Sequence, residues 1–312
     1  MTPYLSIVVP VYNEEGNLEN LMGRLYPVLK GMGRPFEIIF TDDGSRDRSL
    51  EILKRLAGSH PEVRVIEFNG NFGQHMAILA AFEISRGEIV VTLDADLQNP
   101  PEEIPKLVAE MEKGHDVVGT IRMKRQDTFF RKSASRLVNM TTRKMTGMKM
   151  TDYGCMLRAY HRNVVDNINR CGEASTFIPA LAQTFASSPS EISVAHAERS
   201  EGESKYSLYK LVRLNFDLMT GFSVVPLQLF ALTGLVTSLG AVAFAVFLLV
   251  RRFVVGAEVE GVFTLFAILF FFLGITIFGI GIVGEYVGRI YQEVRRRPRY
   301  VVRRLHGGSD EG

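Results

Sequence analysis

Carboxylates stand shortly after three predicted strands in this chain. Asp94-Ala95-Asp96 follows Ile89–Leu93, Asp42-Asp43-Gly44-Ser45 follows Phe36–Phe40, and Glu14-Glu15 follows Leu5–Val11 by way of Tyr12 and Asn13. Two carboxylates one residue apart at the end of a buried strand can share a divalent cation. Hard oxygen ligands suit Mg²⁺ or Mn²⁺, and Mg²⁺ is commonly held by one or two carboxylates plus substrate phosphates. A cation there would neutralise charge building up on a diphosphate leaving group. A single Asp at a strand end can equally be a helix cap or turn residue; carboxylates at three strand ends together point to a site. No Gly-x-Gly-x-x-Gly and no Gly-x-x-x-x-Gly-Lys-Ser/Thr precedes the apolar C-terminal region. The phosphates must then be held by a metal and side chains rather than by a glycine-rich loop.

These residues need elements to position them. Leu5–Val11 reads as a buried strand, followed by Leu18, Leu21, Met22, Leu25 and Val28 at helical spacing. Phe36–Phe40 is the next strand, and Leu50, Ile52, Leu53 and Leu56 predict a helix behind Asp47 as a possible N-cap. Val63–Phe68 reads as a strand, Gln74–Ser85 as a helix and Ile89–Leu93 as a strand. Pro100, Pro101 and Pro105 open another helix, and Val117–Gly119 is a further strand. This alternation predicts a parallel, doubly wound sheet with helices on both faces, and such sheets bind ligands at the carboxyl ends of their strands.

The chain has 312 residues, 46% hydrophobic and 22% charged, with 36 Lys+Arg against 34 Asp+Glu. That excludes disorder, and a net charge of +2 argues against a nucleic-acid binder. A mean hydropathy of +0.09 excludes a transporter apolar along its whole length. Two cysteines, Cys155 and Cys171, exclude a disulfide framework and a cysteine-rich zinc site. Cys155 reads as a small buried residue.

The apolar residues are segregated. Pro226–Val250 and Gly261–Gly284 carry no charge, and each exceeds the ~20 residues a helix needs to cross a bilayer. Gly279, Gly281, Gly284 and Gly288 would let the second span pack closely on a neighbour. Lys205, Lys210 and Arg213 precede the first span, and Arg289, Arg295, Arg296, Arg297 and Arg299 follow the second. By the positive-inside rule both flanks and both termini are cytosolic, and the loop 251–260 is outside. No signal peptide is apparent. The expected organisation is a catalytic domain over 1–206, an interfacial helix within it at about 128–146, and a juxtamembrane amphipathic helix over 207–225. Spans over 226–250 and 261–284 and a basic cytosolic tail over 285–312 complete it.

Ile7-Val8-Val9-Pro10-Val11-Tyr12-Asn13-Glu14, Asp42-Asp43-Gly44-Ser45 and Asp94-Ala95-Asp96, in that order, resemble the inverting GT-A glycosyltransferases of family 2. The run from Asp94 to Pro105 and the stretch Gly284-Glu285-Tyr286-Val287-Gly288-Arg289-Ile290-Tyr291 are similar to the membrane-anchored polyprenyl-phosphate branch. Further stretches narrow the resemblance: Asn71–Ala77, Asp152–Tyr160, Ser175–Pro179 and Gly202–Tyr206.

The resemblance implies a Rossmann-like GT-A domain with interfacial helices and two C-terminal transmembrane helices, in a bacterial inner membrane. It implies inverting transfer of 4-deoxy-4-formamido-L-arabinose from a UDP donor to undecaprenyl phosphate, feeding lipid A modification and polymyxin resistance. Pro10, Tyr12 and Glu14 would lie against the uridine, Asp42 and Asp43 would contact base and ribose, and Asp94 and Asp96 would hold Mn²⁺ or Mg²⁺ on the diphosphate. A homo-oligomer such as a tetramer is also implied, with no nucleic-acid partner. The phosphates of donor and acceptor need cationic partners, and Arg122, Arg125, Arg199 and Lys205 are the candidates. Asp152 is the candidate base or sugar-hydroxyl ligand, with a turn role as the alternative. His75, at the start of a helix, could touch substrate or cap the helix; neither it nor His196 sits near a nucleophile.

Other readings share many of these features. Glucose or mannose transfer would use the same mechanism. A non-catalytic nucleotide-binding scaffold would be expected to have lost a strand-end carboxylate. A processive synthase would need more spans and a Gln-x-x-Arg-Trp element, and the chain has no Trp.

Overall fold

The computed structural model describes residues 2–122, 155–171, 177–194, 225–255, 262–295 and 298–308. They form two compact units: residues 1–143, 147–205 and 297–312 in one, and residues 144–146 and 206–296 in the other.

The first unit is built on β1 (Leu5–Val11), β2 (Phe36–Asp42), β3 (Val63–Phe68) and β4 (Ile89–Thr92), alternating with α1 (Leu18–Gly31), α2 (Ser49–Ser59) and α3 (Gln74–Ile84). A short 3₁₀ turn (Pro101–Glu103) and α4 (Ile104–Met111) follow, then β5 (Val117–Arg122), β6 (Arg158–His161), α5 (Arg162–Arg170), α6 (Ile178–Phe185) and β7 (Pro189–Val194). After the second unit comes β8 (Val302–His306). The sheet order is β7-β5-β6-β4-β1-β2-β3-β8. β1 pairs in parallel with β2 and β4, and β2 with β3.

Side chains along a strand alternate between faces, and both faces of this centre are covered. Leu5, Ile7, Val9 and Val11 of β1, with Ile38 and Phe40 of β2, join one core with Leu18, Leu21 and Leu25 of α1, Leu53 of α2 and Leu107 of α4. Val8 and Ile39 are buried on the other face, where α3 packs along β1 and β2. Strands buried on both faces read as near-continuous apolar runs, which is why β1 to β4 are visible in the sequence.

The expected all-parallel sheet is corrected at both ends. β6 inserts antiparallel between β4 and β5, and β8 adds antiparallel to β3. Arg-Ala-Tyr-His carries no apolar run, and the β8 segment reads as part of a basic tail. Asp47 also differs from expectation. The residue preceding α2 is Arg48, yet Asp47 Oδ1 accepts from the Ser49 N–H at 3.0 Å, so it still satisfies a first-turn donor from one position further out.

The second unit contributes α7 (Val225–Val255) and α8 (Val262–Arg295). Within α8, Phe271–Gly288 is long and apolar enough to cross a membrane; in α7 the corresponding stretch, Leu227–Thr237, is shorter. Leu232, Leu235, Leu239, Phe271 and Phe278 are exposed, as side chains facing lipid would be. The Phe230 ring of α7 fills the space a side chain at Gly279 would need, and it lies 6.4 Å from the Phe278 ring, edge-on. Nothing among the described residues approaches Gly281, Gly284 or Gly288. The interfacial helices expected at about 128–146 and 207–225 fall outside the described residues, apart from Val225.

Candidate active site

The loops leaving β1 to β4 are joined to one another by side chains. The Asn13 N–H donates to Ser45 Oγ at 3.0 Å, the Glu14 N–H to Ser49 Oγ at 2.9 Å and the Glu15 N–H to Asp47 Oδ2 at 3.1 Å. In return the Arg46 N–H donates to Asn13 Oδ1 at 2.8 Å. These bonds fasten the β1 loop to the β2 loop. Asp43 fastens the β2 loop to the β3 loop, its two oxygens accepting from the Phe72 N–H at 2.6 Å and the Gly73 N–H at 2.9 Å. Gln74, first residue of α3, then reaches the β4 loop, Nε2 donating to Asp94 Oδ1 at 2.5 Å. One connected rim thus runs along the carboxyl edge of the parallel strands.

A cavity of about 340 Å³ opens in this rim, walled by Tyr12, Asp42, Gly44, Ser45, Glu67 and residues 68–71, with Arg303 from β8. Tyr12 is 43% exposed and offers a ring face. Asp42 is almost wholly buried, and the Ser45 N–H donates weakly to it at 3.3 Å. Burial pushes the carboxyls of Asp42 and Asp43 above their ordinary value, only partly offset by the hydrogen bonds they accept. Pro10 lies in β1, paired with Thr41. Glu14 accepts from Asn17 Nδ2 at 2.6 Å. Asn13 and Leu97 have positive φ, 56° and 60°. Asn tolerates this conformation; for Leu it costs about 1–3 kcal/mol, held in place by the surrounding loop. Leu97 follows Asp96 directly, so the strain sits at the aspartate pair.

Asp94 and Asp96 are half-buried on the loop after β4, where Asp96 Oδ1 accepts from the Gln98 N–H at 3.1 Å. No cluster of three or more His, Cys, Asp or Glu forms among the described residues. A pair of accessible carboxylates fits a hard divalent cation whose remaining ligands come from phosphate and water.

Of the cationic candidates, Arg122 is the last residue of β5, paired in register with Val194. Arg125, Arg199 and Lys205 lie outside the described residues, as do Asp152 and His196. The chain re-enters at Cys155, which is buried beneath the β4 loop: Thr120 Oγ1 donates to its Sγ at 2.9 Å, and the thiol faces Asn99 Oδ1 at 3.4 Å. Thr92 Oγ1 donates to the Met156 carbonyl at 2.5 Å.

His75 is the second residue of α3. Its Nδ1 is buried without a hydrogen-bond partner among the described residues, and its ring meets Phe177 edge-on at 5.2 Å. Burial lowers its pKa to about 4. The neutral ring is therefore favoured on folding. Stability is full above the ordinary histidine value near ~6.5 and falls as pH drops toward about 4, where only the unfolded chain takes up the proton. We expect the thermal midpoint of His75→Gln to fall less steeply than that of the unsubstituted protein between pH 6.5 and 4. Parallel melting curves would contradict this.

Two residues of the rim are not singled out in the sequence. Glu67 is buried near the end of β3 and pairs with Lys54 at 3.1 Å and His306 at 2.8 Å. A glutamate between Ile66 and Phe68 in a mostly apolar strand was a readable signal. Arg303 had none, since it stands among many basic residues of the tail.

The glycosyl transferase family 2 profile matches residues 6–168. Curated relatives match nearly the whole chain. A protein of Yersinia enterocolitica named undecaprenyl-phosphate 4-deoxy-4-formamido-L-arabinose transferase is 52% identical over 309 residues, covering 98% of this chain and 94% of that protein. Proteins of the same name from Pectobacterium atrosepticum and Pseudomonas aeruginosa are 53% and 52% identical, covering 96% and 98% of this chain and 93% and 92% of their own. Among solved structures, glucosyl-3-phosphoglycerate synthase of Mycobacterium tuberculosis, in complex with Mn²⁺, UDP-glucose and phosphoglyceric acid, aligns at a TM-score of 0.53 and 19% identity. It covers 70% of this chain and 78% of that one, a likeness of fold.

Proposed function

The chain belongs to glycosyl transferase family 2, and on that premise we infer that it transfers 4-deoxy-4-formamido-L-arabinose from a UDP donor to undecaprenyl phosphate. The observation that carries the reading is the connected rim. It joins the Asp42 cavity to the Asp94/Asp96 pair through Asp43 and Gln74, which supports reading the cavity as the base and ribose site and the pair as the diphosphate site.

In this account Asp42 accepts from the uracil N–H, with Pro10, Tyr12 and Glu14 lining the uridine. Asp43, whose oxygens bind backbone N–H groups of the β3 loop, contributes to base and ribose binding by holding that loop. Asp94 and Asp96 would hold Mg²⁺ or Mn²⁺, which when bound neutralises charge on the departing diphosphate. A phosphate oxygen of the acceptor attacks the anomeric carbon, the bond from that carbon to the UDP oxygen breaks, and the configuration inverts. A phosphate monoester has its second pKa near ~6, so the nucleophile is ionised at neutral pH and needs no strong base. Asp152 is then a sugar ligand or an auxiliary base, and Arg122, Arg125, Arg199 and Lys205 are the partners for phosphate. α8, and α7 with it, keeps the enzyme at the cytosolic face of the membrane that retains its lipid acceptor, with both termini cytosolic; a homo-oligomer fits this arrangement.

The identity of the donor is tested by single-turnover transfer onto undecaprenyl phosphate in detergent, with a panel of UDP-sugars and GDP-mannose. We expect lipid-linked product from the formamido-arabinose donor alone. Product from UDP-glucose or GDP-mannose instead would overturn the sugar, and UDP binding with no product from any donor would point to a binding scaffold.

The raised pKa of Asp42 gives a pH dependence. The ionised carboxylate accepts from the uracil N–H more strongly than the neutral acid does. As pH falls it protonates earlier than an ordinary carboxylate, so this interaction weakens on the acid side. Uridine has no group of its own that ionises in the acid range. Its affinity should fall on acidification from above the usual carboxylate range, near ~3.9, and Asp42→Asn should bind weakly without that acid limb. An acid limb retained in Asp42→Asn would assign it to another group.

A further inference from the structure

We propose that the C-terminal strand completes the donor pocket and that Arg303 reads the nucleobase, favouring uracil over cytosine; this rests on the UDP-donor reading above. β8 pairs with β3 through Val65↔His306, Ile66↔Leu305 and Glu67↔Arg304, and the register then jumps to Phe68↔Val302. Arg303 is therefore the extra residue of a β-bulge. Bulges re-aim a side chain and recur beside active sites. Here the bulged residue joins the wall of the cavity that holds Tyr12 and Asp42.

The strand is clamped on both sides of the bulge. Before it, Tyr300 stacks on Phe68 with ring centroids 5.1 Å apart, and the Asn69 N–H donates to the Val301 carbonyl at 3.1 Å. After it, Gly307 turns with φ +77°, its Cα so close to the Val63 carbonyl that a side chain there would clash. The guanidinium is thus presented by a fixed backbone. Its Nη1 lies 3.4 Å from Glu67 Oε1, but Glu67 is already paired with Lys54 and His306. The Arg303 side chain is 72% exposed, and a guanidinium carries five N–H donors in a planar fork, which leaves donors for a ligand.

The chemistry of the wall is then an acceptor, Asp42, beside a cationic donor, Arg303. The pairing edge of uracil presents an N–H flanked by two carbonyl oxygens, which matches that pair. Cytosine puts a lone pair where uracil has its N–H and an amino group where uracil has one of those carbonyls, opposing like with like at both positions.

The test uses the full chain in detergent, titrated calorimetrically with UDP and with CDP in the presence of Mg²⁺. The unsubstituted protein should prefer UDP. Arg303→Gln should weaken UDP about tenfold, the loss of one hydrogen bond from a charged donor, and leave CDP within about twofold. In transfer assays it should raise the donor KM and leave kcat unchanged, with an unchanged melting temperature. Equal weakening of both nucleotides, or no change for UDP, would overturn the role of Arg303 and leave the proposed reaction standing. No preference for UDP in the unsubstituted protein would overturn the UDP reading itself, and this inference with it.

Discussion

Asp96→Asn should lower the transfer rate about 10³-fold while leaving the fold intact. The substitution is nearly isosteric, and Asn Oδ1 can still accept from the Gln98 N–H, as Asp96 Oδ1 does at 3.1 Å. What is lost is a negative charge from a pair that has no third carboxylate, His or Cys among the described residues to replace it. A divalent cation there needs that charge to bind, and stabilising a leaving diphosphate is worth several kcal/mol of barrier. The melting temperature should not move, and added Mn²⁺ or Mg²⁺ should rescue part of the rate. Activity within threefold of the unsubstituted protein would remove Asp96 from the metal site.

Gly44→Ala should be the most damaging single substitution in the donor cavity. Gly44 has φ +72°, a conformation costly for any side chain. A Cβ there would lie 2.6 Å from the Gly70 carbonyl carbon and 2.9 Å from its oxygen. The neighbour is backbone, and it cannot yield cheaply. The β3 loop is held by Asp43 through the Phe72 and Gly73 N–H groups and by the Asn69 bond to Val301. Either the loop moves and those bonds break, or the β2 loop does. We expect a loss on the order of 3 kcal/mol in stability from strain and overpacking together, and at least thirtyfold weaker UDP binding. Thermal melts and UDP titration check both. An unchanged melting temperature would mean that the two loops are not held against each other as described.

The two substitutions test features of different legibility. Asp94-Ala95-Asp96 and Asp42-Asp43 could be read in the sequence because they end strands buried on both faces, and such strands are mostly apolar runs. What each carboxylate touches was not legible. Adjacent in sequence, Asp42 and Asp43 point to opposite tasks: one walls the cavity, the other ties two loops by their backbone. That division depends on where residues 70–73 pass, which no local pattern encodes. Gly44 could be read as a turn residue, but its contact with Gly70 joins two loops that are separate in sequence.

The edges of the sheet were harder. β6 holds a buried arginine, Arg158, whose Nε donates to the Cys155 carbonyl at 2.9 Å, so its sequence lacks the apolar signature. β8 carries Arg303 and Arg304 on an edge strand, where polar side chains are the rule. It is separated from β3 by the whole second unit, so its pairing is a property of the fold alone. α8 was the easiest element to read, since a long unbroken apolar run has few uses other than crossing a membrane; the matching stretch in α7 is shorter.

The central claim is that one lipid phosphodiester and one free UDP form per sugar transferred. It is tested most directly by incubating the full chain in detergent with undecaprenyl phosphate and the UDP-linked formamido-arabinose, then measuring lipid and nucleotide products together by mass spectrometry. The account predicts undecaprenyl phosphate carrying a single formamido-arabinose through one phosphate, and UDP in equal amount. Undecaprenyl diphosphate-linked sugar with UMP, or UDP released without any lipid product, would contradict it.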